Sequence, residues 1–462
     1  MSIFDSIRDG LRGFIFGDDL YGIVDERIQA MQLRRDYREG RHKKQIRPRP
    51  GKTDDNVYIN FAGLVIDRSV SMLFGNGVEF DLPGEGDDTP ADLYLADLWE
   101  ANKKEILLHR WGLLASEDGT GYFKIVKEGV VGKMGIPRAR LVLIDPKWVT
   151  MDTNPEDFEQ VIRYTIRFDT TGADGKPVAR KQIHEIQDNS TWLISDYYSS
   201  SMTGGKWVVM QEELWPYEFP QILHHQNLPS ADDIYGRPDL TDDLIGLQDK
   251  LNFIAANINK IIRLHAHPKN INYGFGADNK DVVTLDVGEV LTANNADAWW
   301  KTIEMQSDLK SSSDFFLTLR QAFFDVARSV DIDSVGDKLG ALTNFGLRVL
   351  YQDALNKIKT KQRLYGDALL ELNRRLLVIG ELPSDPGEIV WPEVLPENGL
   401  EESQEYQTDI DMGILSRQTA AIRKGYDWEK EQERIEGERA QSEMTNNNVG
   451  NLLATQFFRG GQ

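Results

Sequence analysis

The chain has 462 residues, no cysteine and a formal net charge of −21 at pH 7, with 40% hydrophobic and 27% charged residues. This composition predicts about two to four soluble domains with real cores, excludes disulfides and cysteine-built zinc sites, and fits a reducing, cytosolic origin. The negative charge excludes a protein that wraps nucleic acid tightly, since phosphate contacts require clustered Lys and Arg, but it permits one past which nucleic acid slides.

Residues 1–114 are predicted to be mainly helical, with helices at 24–39, 56–75 and 91–114 and a strand at 78–82. Charged residues interrupt the apolar pattern of 1–15, so that segment predicts neither a signal peptide nor a membrane span. No other stretch reaches the roughly 18 apolar residues that a span needs. A basic run follows the first helix and is either a solvated surface strip or a contact for nucleic acid or an acidic partner. Its candidate contact residues are Arg41, Lys43, Lys44 and Arg47.

From 119 to 228 the hydrophobic period changes to two, which predicts an antiparallel β region packed on the preceding helices. Turn-forming clusters such as 171–175 separate several of the strands. With the helices on either side, this region makes the chain α+β and mainly helical. The predicted strands are 122–126, 140–144, 161–168, 182–187, 191–197 and 206–211.

Three long helices with narrow apolar stripes are predicted between 238 and 379. In the first, about 238–265, apolar residues are spaced alternately four and three apart, as in a coiled coil, and the second repeats this rhythm. The third runs from about 344 to 379 without proline, roughly 50 Å of helix. The stripes are either the core of one monomeric bundle or a seam between copies of the chain. Their residues are Leu244, Leu247, Leu251, Ile254, Ile258, Phe316, Leu319, Phe323 and Val326.

Shorter segments connect and follow these helices. Residues 268–304 form a small mixed insertion with short strands, and 331–342 form a loop with three aspartates and two glycines. Beyond 379 a proline-rich segment marks a boundary. Short acidic helices are predicted over 400–442, followed by a flexible tail.

No motif in the sequence indicates an enzyme. Residues 51–53 (Gly-Lys-Thr) resemble the end of a phosphate-binding loop, but Ile46 stands where that loop requires glycine. The acidic loop begins like a calcium loop, yet Val335 and Leu342 occupy two positions that need oxygen ligands. Neither segment is therefore predicted to bind a nucleotide or a calcium ion.

Neither a metal site nor a cofactor is predicted. The histidine pairs His224 with His225 and His265 with His267 each lack a third ligand, so structural roles are favoured. The abundance of Asp and Glu leaves one alternative from a different class, a multidomain metal-dependent hydrolase with a helical oligomerisation arm.

Several short motifs occur in an order that resembles the portal proteins of long-tailed, siphovirus-type bacteriophages. Residues 37–40 resemble the family's Tyr-x-x-Gly pattern, and Asn56, Asn60, 65–67 and 73–75 follow in the family's order. A β-rich region, a helix, an insertion, a helix, a short loop and one very long helix come next, as in the family.

The resemblance continues towards the end of the chain. Residues 413–420 resemble the family's Ile-Ser-x-x-Thr-Ala segment, and the acidic run 427–431 resembles the acidic stretch that comes next in the family. One departure is at 343–347, which read Thr-Asn-Phe-Gly-Leu where the family often has Ser-Gly-x-Ala-Leu. The start of the third helix is therefore fixed only within a few residues.

The resemblance implies a portal-type ring subunit with wing, stem, clip and crown, and with the antiparallel β region inside the wing. The implied parts are a wing at 1–235 (helical 1–114, β-rich 119–228), stem helix 1 at 236–264, a clip at 265–306, stem helix 2 at 307–330, a tunnel loop at 331–343, a long wing helix and linker at 344–399, a crown at 400–445 and a flexible tail at 446–462.

The resemblance also implies a function without catalysis. About twelve copies would form a channel at one capsid vertex, through which terminase drives DNA in and through which the DNA later leaves. A dozen helices 8–10 Å apart leave a hole of about 25 Å, close to the width of a duplex, and acidic walls would let that duplex slide. The implied partners are other copies, double-stranded DNA, the terminase large subunit, the major capsid and scaffolding proteins, and a head-completion or adaptor protein, with no membrane. The implied location is the virion, after assembly in the host bacterial cytoplasm.

Site residues follow from the same resemblance. The stripes become an inter-subunit seam of the stem. Lys338 is either an isolated cation facing the DNA or a solvated loop lysine. The tunnel-loop candidates are Asp331, Asp333, Ser334, Asp337 and Lys338. The candidates for the clip face, which would meet terminase and adaptor, are Lys269, Asn270, Asn272, Trp299 and Trp300.

Overall fold

The computed structural model describes residues 19–47, 54–83, 89–133, 135–171, 175, 177–187, 191–199, 207–231, 233–266, 269–273, 299–303, 309–332, 344–395, 399–426 and 428–437. The fold is α+β with antiparallel sheets. The chain forms two compact units, one of Met1–Gly340 with Val349–Val394 and one of Ala341–Arg348 with Leu395–Gln462.

Four helices open the first unit: α1 (Asp19–Arg38), α2 (Phe61–Phe74), α3 (Pro90–Ala101) and α4 (Lys104–Asp118). Side-chain caps define where two of them begin. The Asn60 side chain accepts the Gly63 N–H at the start of α2, and Thr89 and Asp92 form a capping box at the start of α3.

The single helix predicted over 91–114 is in fact two helices, α3 and α4. Lys103 adopts a left-handed backbone (φ 55°) between them. The Asn102 side chain donates to the carbonyls of Leu98 and Ala139 and accepts the Leu141 N–H, so the break is bonded to the neighbouring strand. No glycine or proline marks this position, which is why periodicity alone predicted a continuous helix.

Two antiparallel sheets follow the helices. A three-stranded sheet in the order β3-β2-β9 contains β2 (Thr120–Val131), β3 (Pro137–Ile144) and β9 (Ile222–Gln226). A five-stranded sheet runs in sequence order through β4 (Val149–Asn154), β5 (Asp157–Thr171), β6 (Pro177–Gln187), β7 (Thr191–Ser199) and β8 (Val208–Trp215). The six predicted strands correspond to β2, β3, β5, β6, β7 and β8, whereas β4 and β9 were missed.

The two sheets share one apolar core. Tyr122 and Ile144 from the three-stranded sheet pack in the same buried cluster as Tyr164 and Trp192 from the five-stranded sheet. A further two-stranded pair joins distant parts of the chain, β1 (Glu79–Asp81) with β12 (Glu388–Val390).

The long helices are α5 (Asp242–Ala266), α6 (Leu309–Val326), α7 (Asn344–Leu350) and α8 (Gln352–Ile379), with the hairpin strands β10 (Lys269–Tyr273) and β11 (Trp299–Ile303) between α5 and α6. The third predicted helix is therefore divided at Tyr351, whose ψ of 4° is not helical. At about 1.5 Å per residue, α8 alone is roughly 42 Å long.

The main core surrounds α8. Tyr365, Leu372 and Leu376 of α8 are 0% exposed and share this core with Trp99 and Trp111. The rings of Trp111 and Tyr365 are 4.6 Å apart, so α4 packs directly on α8.

The second unit contains α9 (Gly399–Asp411) and α10 (Arg417–Arg423), and residues 428–437 are also helical. Ser416 caps α10 by accepting the Thr419 N–H. Lys424 donates to the Ser403 hydroxyl at 2.7 Å, which joins α10 to α9. In the part of the chain that the structure describes, no helix is both long and apolar enough to cross a membrane.

Candidate functional site

The apolar stripes of α5 and α6 are covered mainly by the subunit itself. Leu251 and Phe323 are 0% exposed and Leu244 is 1% exposed, all within the main core. No second chain can reach these three side chains, so the structure corrects their interpretation as an inter-subunit seam. Ile254 is 8% exposed. The half-buried members of the stripe are Leu247, Ile258, Phe316 and Leu319.

A second set of apolar side chains on the same helices is open to solvent. On α6, Phe315 and Leu317 are 50% and 54% exposed, and Val326 is 48% exposed. A helix turns about 100° per residue, which puts Phe315 and Val326 on one flank of the buried stripe and Leu317 on the other. Phe253 of α5 is also exposed, at 39%. The helix pair thus has apolar surface on more than one side after its own core is filled.

α5 also has a buried polar face that the apolar pattern did not predict. Gln248 and Asn252 lie one turn apart and are both 0% exposed. Gln248 accepts the Ala62 N–H at 3.0 Å and donates to the Ile59 carbonyl at 2.7 Å. Asn252 accepts the Ile59 N–H at 3.0 Å and bonds to His42 Nδ1 at 2.8 Å. These bonds fix the backbone that leads into α2.

The same N-terminal segment bonds along most of the length of α5. Tyr37 donates its hydroxyl proton to Asp249 at 2.6 Å, and burial together with this carboxylate raises the pKa of Tyr37. Near the other end of α5, Arg263 donates two bonds of 2.7 Å to Asp55. We call the described residues of 37–62 that make these contacts the strap.

A cluster of charged groups joins α8 to the start of α5. The Lys361 ammonium donates to Asp239 Oδ2 at 2.5 Å and to the hydroxyls of Ser69 and Ser116 at 2.9 and 3.0 Å. Lys357, one turn earlier, lies 3.2 Å from the other oxygen of Asp239. We call Lys357, Lys361 and Asp239 the buried lysine cluster. It connects α2, α4 and α8 to Asp239, which lies three residues before α5.

The electrostatics of the cluster follow from its burial. Desolvation alone would raise the pKa of Asp239, but the two ammonium groups outweigh it and hold that pKa below its usual range. Burial lowers the pKa of Lys361 to about 8. Lys357 also donates to the Ala327 carbonyl at 3.1 Å, just beyond the end of α6. Two lysines of α8 therefore bond to the chain shortly before α5 begins and just after α6 ends.

Among the described histidines, His184 and His225 are buried and His224 is half-buried. Burial lowers the pKa values of His184 and His224 to about 3 and that of His225 well below its usual value. His224 Nε2 bonds to the Thr120 hydroxyl at 2.9 Å. Across the described ranges, acidic and histidine side chains form no group of three that could hold a metal ion.

The five clip candidates meet in one hairpin. Strand β10 contains Lys269, Asn270 and Asn272 and pairs with β11, in which Asn272 lies opposite Trp300. Trp299 is 48% exposed. The insertion therefore brings these residues together as neighbours, although it leaves their role as a docking face a prediction.

The acidic loop is described only at its start. Asp331 accepts from Arg320 at 2.6 Å, and its side chain is 10% exposed. Arg320 therefore neutralises this carboxylate inside the subunit, whereas the sequence predicts that Asp331 faces a channel. The other tunnel-loop candidates lie outside the described residues: Asp333, Ser334, Asp337 and Lys338.

The basic run is exposed but partly neutralised. Arg41 pairs with Asp36 at 2.6 Å, and Lys44 lies 3.3 Å from Asp54. Lys43 and Arg47 are also exposed. Because nearby carboxylates offset part of its charge, the run is a weaker anion-binding surface than its sequence indicates.

Comparison with known protein families gives a match that covers most of the chain. A sequence model of the family described as "Phage portal protein, SPP1 Gp6-like" matches residues 18–445. No protein in the curated set matches the chain significantly.

Chains from gene transfer agent (GTA) particles are among the solved structures that match. A chain from the virion of a native GTA particle and one from the neck of an empty particle computed with C6 symmetry each have a TM-score of 0.45 and 16% identity, over 79% of this chain and 88% of theirs. A chain from the neck of a native particle computed with C12 symmetry has a TM-score of 0.41 and 17% identity, over 79% of this chain and 91% of its own.

Proposed function

Since the chain belongs to the SPP1 Gp6-like family of phage portal proteins, we propose that it forms the ring-shaped channel at the unique vertex of a phage capsid. About twelve subunits surround a passage through which terminase drives double-stranded DNA during packaging and through which the DNA leaves at ejection. The protein is then a head–tail connector in the virion, assembled in the host bacterial cytoplasm, and acts without catalysis of its own.

The observation that carries this proposal is the second apolar surface of the α5–α6 pair. A head-to-tail ring needs two different patches on each subunit, because each copy contacts one neighbour on each side. The flanks of α6 that contain Phe315 with Val326 and Leu317 supply two such patches outside the subunit's own core. Exposed apolar surface of this kind is characteristic of interaction sites.

In the proposed ring, each segment of the subunit forms a defined part. Residues 1–235 and the long helix of 344–399 form the wing, 236–264 and 307–330 the stem, and 265–306 the clip. Residues 331–343 form the tunnel loop and 400–445 the crown. The β10–β11 hairpin faces terminase and the head-completion protein, and the capsid and scaffolding proteins surround the wing.

The net charge of −21 supports passage rather than retention of DNA. Each phosphate neutralised by a fixed cation adds a salt-dependent hold on the duplex, which would slow its movement through the channel. The alternative of a metal-dependent hydrolase has no supporting observation among the described residues.

The test compares the chain with two variants by negative-stain microscopy and sedimentation velocity. The unaltered chain is expected to give rings seen end-on. Leu317→Asp should give folded monomers with an unchanged melting temperature, because a charge on one flank blocks the neighbour without touching the core. Thr318→Asp, an exposed neighbour off both flanks, should still give rings. Uniform monomers of the unaltered chain at high concentration would overturn the proposal. Normal rings of Leu317→Asp would overturn the assignment of this flank as a contact between subunits.

A further inference from the structure

A small crevice opens between α2, the end of α6 and α8. Its cavity of about 20 Å³ is enough for one particle the size of a water molecule. Three cationic residues, Arg68, Arg328 and Lys357, line it together with Ser69 and Ser329, and its other lining residues are apolar. Within the described ranges, no carboxylate is among the residues that line this crevice.

The charges around the crevice are not balanced by the chain. Lys357 and Lys361 share the single carboxylate of Asp239, which leaves one positive charge in excess within the buried lysine cluster. Arg68 donates to the Val330 carbonyl at 2.8 Å, an acceptor without a formal charge. Among the described ion pairs, neither Arg68 nor Arg328 has a carboxylate partner. Arg328 is exposed and Arg68 is half-buried, so the buried excess is the one ammonium charge of the lysine cluster. A buried charge of this kind costs free energy unless an anion compensates it.

Loss of a proton from Lys361 does not remove this excess near neutral pH. Burial lowers the pKa of Lys361 to about 8, so at pH 7 most molecules keep the Lys361 ammonium group charged. The Ser69 hydroxyl is already bonded to Asp239 and Lys361, whereas the hydroxyl of Ser329 can donate to an anion that enters the crevice.

The backbone at Arg328 provides an independent observation. Arg328 has φ 51°, in the left-handed region where glycine is normally found at the end of a helix. The Ser329 N–H donates to the Phe324 carbonyl and the Arg328 N–H to the Asp325 carbonyl, which is the hydrogen-bond pattern of a Schellman helix end. Glycine would fit this position with less strain. Arg328 nonetheless lines the crevice, with an exposed side chain and a less favourable backbone than glycine would have.

We propose that this crevice is a binding site for a small inorganic anion of about the size of chloride, which compensates the charges of Lys357, Arg68 and Arg328. The bound anion joins α2, the last turn of α6 and α8 where the second stem helix leaves the wing. The site lies within one subunit and does not depend on ring formation.

The test measures thermal unfolding of the full chain in sodium chloride, sodium bromide and sodium gluconate at equal ionic strength. Gluconate is too large for the cavity, so it supplies ionic strength without filling the site. The unaltered chain is expected to melt several degrees higher in chloride or bromide than in gluconate, with saturation as the halide concentration rises. Arg140→Gln, which removes an exposed arginine of β3 far from the crevice in sequence, should keep this difference.

Arg328→Gly distinguishes a loss of anion binding from a general loss of thermal stability. Because glycine relieves the left-handed backbone, the variant should melt at least as high as the unaltered chain in gluconate, yet lose most of the halide increment. Arg68→Gln is the second variant, which should lose the increment while still donating to Val330. Equal melting in halide and gluconate for the unaltered chain, or an undiminished increment in both variants, would overturn the proposal.

Crystals grown in sodium bromide give the location directly. An anomalous bromide peak in the crevice of the unaltered chain, absent from Arg328→Gly, is the expected result. Bromide peaks found only elsewhere on the surface would contradict the proposal even if the halide increment were present.

Discussion

Lys361 and Asp239 form an ion pair of 2.5 Å in which both side chains are 0% exposed. Lys357 reaches the same carboxylate from one helical turn away. The pair joins α8 to Asp239, three residues before α5, and so links the wing to the proposed stem through a buried ion pair. Asp239 should contribute more to stability than either lysine, because two ammonium groups share its one carboxylate.

Asp239→Asn should destabilise the chain far more than Lys361→Met. The first change leaves two buried ammonium groups without a countercharge and is expected to cost about 3–5 kcal/mol of unfolding free energy. The second leaves Asp239 paired with Lys357, and methionine refills most of the space. Urea unfolding of both variants, dissociated to monomers, measures the order. Equal losses, or a larger loss for Lys361→Met, would show that the cluster is not organised around its carboxylate.

Leu251→Asp and Phe253→Asp should fail in different ways. If Leu251 belonged to an inter-subunit seam, as the sequence predicts, Leu251→Asp would prevent ring assembly by placing a charge in that seam. Because Leu251 is 0% exposed inside the subunit, we now expect this variant to lose its fold. Phe253, at 39% exposed, tolerates a charge, so its variant should keep the circular dichroism and melting profile of the unaltered monomer. A stable, folded Leu251→Asp monomer would contradict the packing described for α5.

Periodicity predicted the elements whose apolar residues face one side. The stripes of α5 and α6 and the alternation in six strands are local patterns, so they can be read without knowing the partner. Gln248 and Asn252 look like ordinary surface residues of α5, because their buried partners lie about two hundred positions earlier in the chain. Lys361 likewise looks like an ordinary lysine of α8, because its buried partners Ser69 and Asp239 lie far away in the sequence. The weak signal was that Gln248 and Asn252 lie one turn apart beside the stripe.

Asn252→Ala should loosen the strap locally. It removes the acceptor of the Ile59 N–H and the partner of His42 Nδ1, and a buried donor left without a partner costs about 1–3 kcal/mol. The amide of Ile59 should exchange with deuterium markedly faster, as measured by hydrogen exchange with fragment separation. Lys260→Ala, on the exposed side of α5, is the matched control and should leave that amide unchanged. Similar exchange in both variants would mean that the strap is held by other contacts.

His224 should make the chain sensitive to mild acid. Its pKa is about 3 in the folded chain, because burial and nearby Arg27 disfavour the charged ring, against an ordinary value of 6.5. Between these values the unfolded chain binds more protons, so stability is fully present above pH 6.5 and decreases as the pH falls. The loss from pH 7 to pH 5 is about 2 kcal/mol for this residue.

His224→Gln tests this assignment, because glutamine cannot take up a proton and can still bond to Thr120. Denaturant unfolding at several pH values should show that the variant takes up about one proton fewer on unfolding near pH 5. His184 and His225 remain as further acid-sensitive groups. An unchanged pH slope would mean that His224 does not stay neutral in the folded chain.

The buried lysine cluster also constrains the order of events during synthesis. The bond between Asp239 and Lys361 joins residues separated by 122 positions. When Asp239, Ser69 and Ser116 leave the ribosome, the two lysines that complete their network have not yet been made. A chain that stops before Lys357 would carry a buried carboxylate without a counterion and an incomplete main core. Only subunits translated through α8 can settle into a stable fold, so unfinished chains are excluded from rings by folding energetics alone.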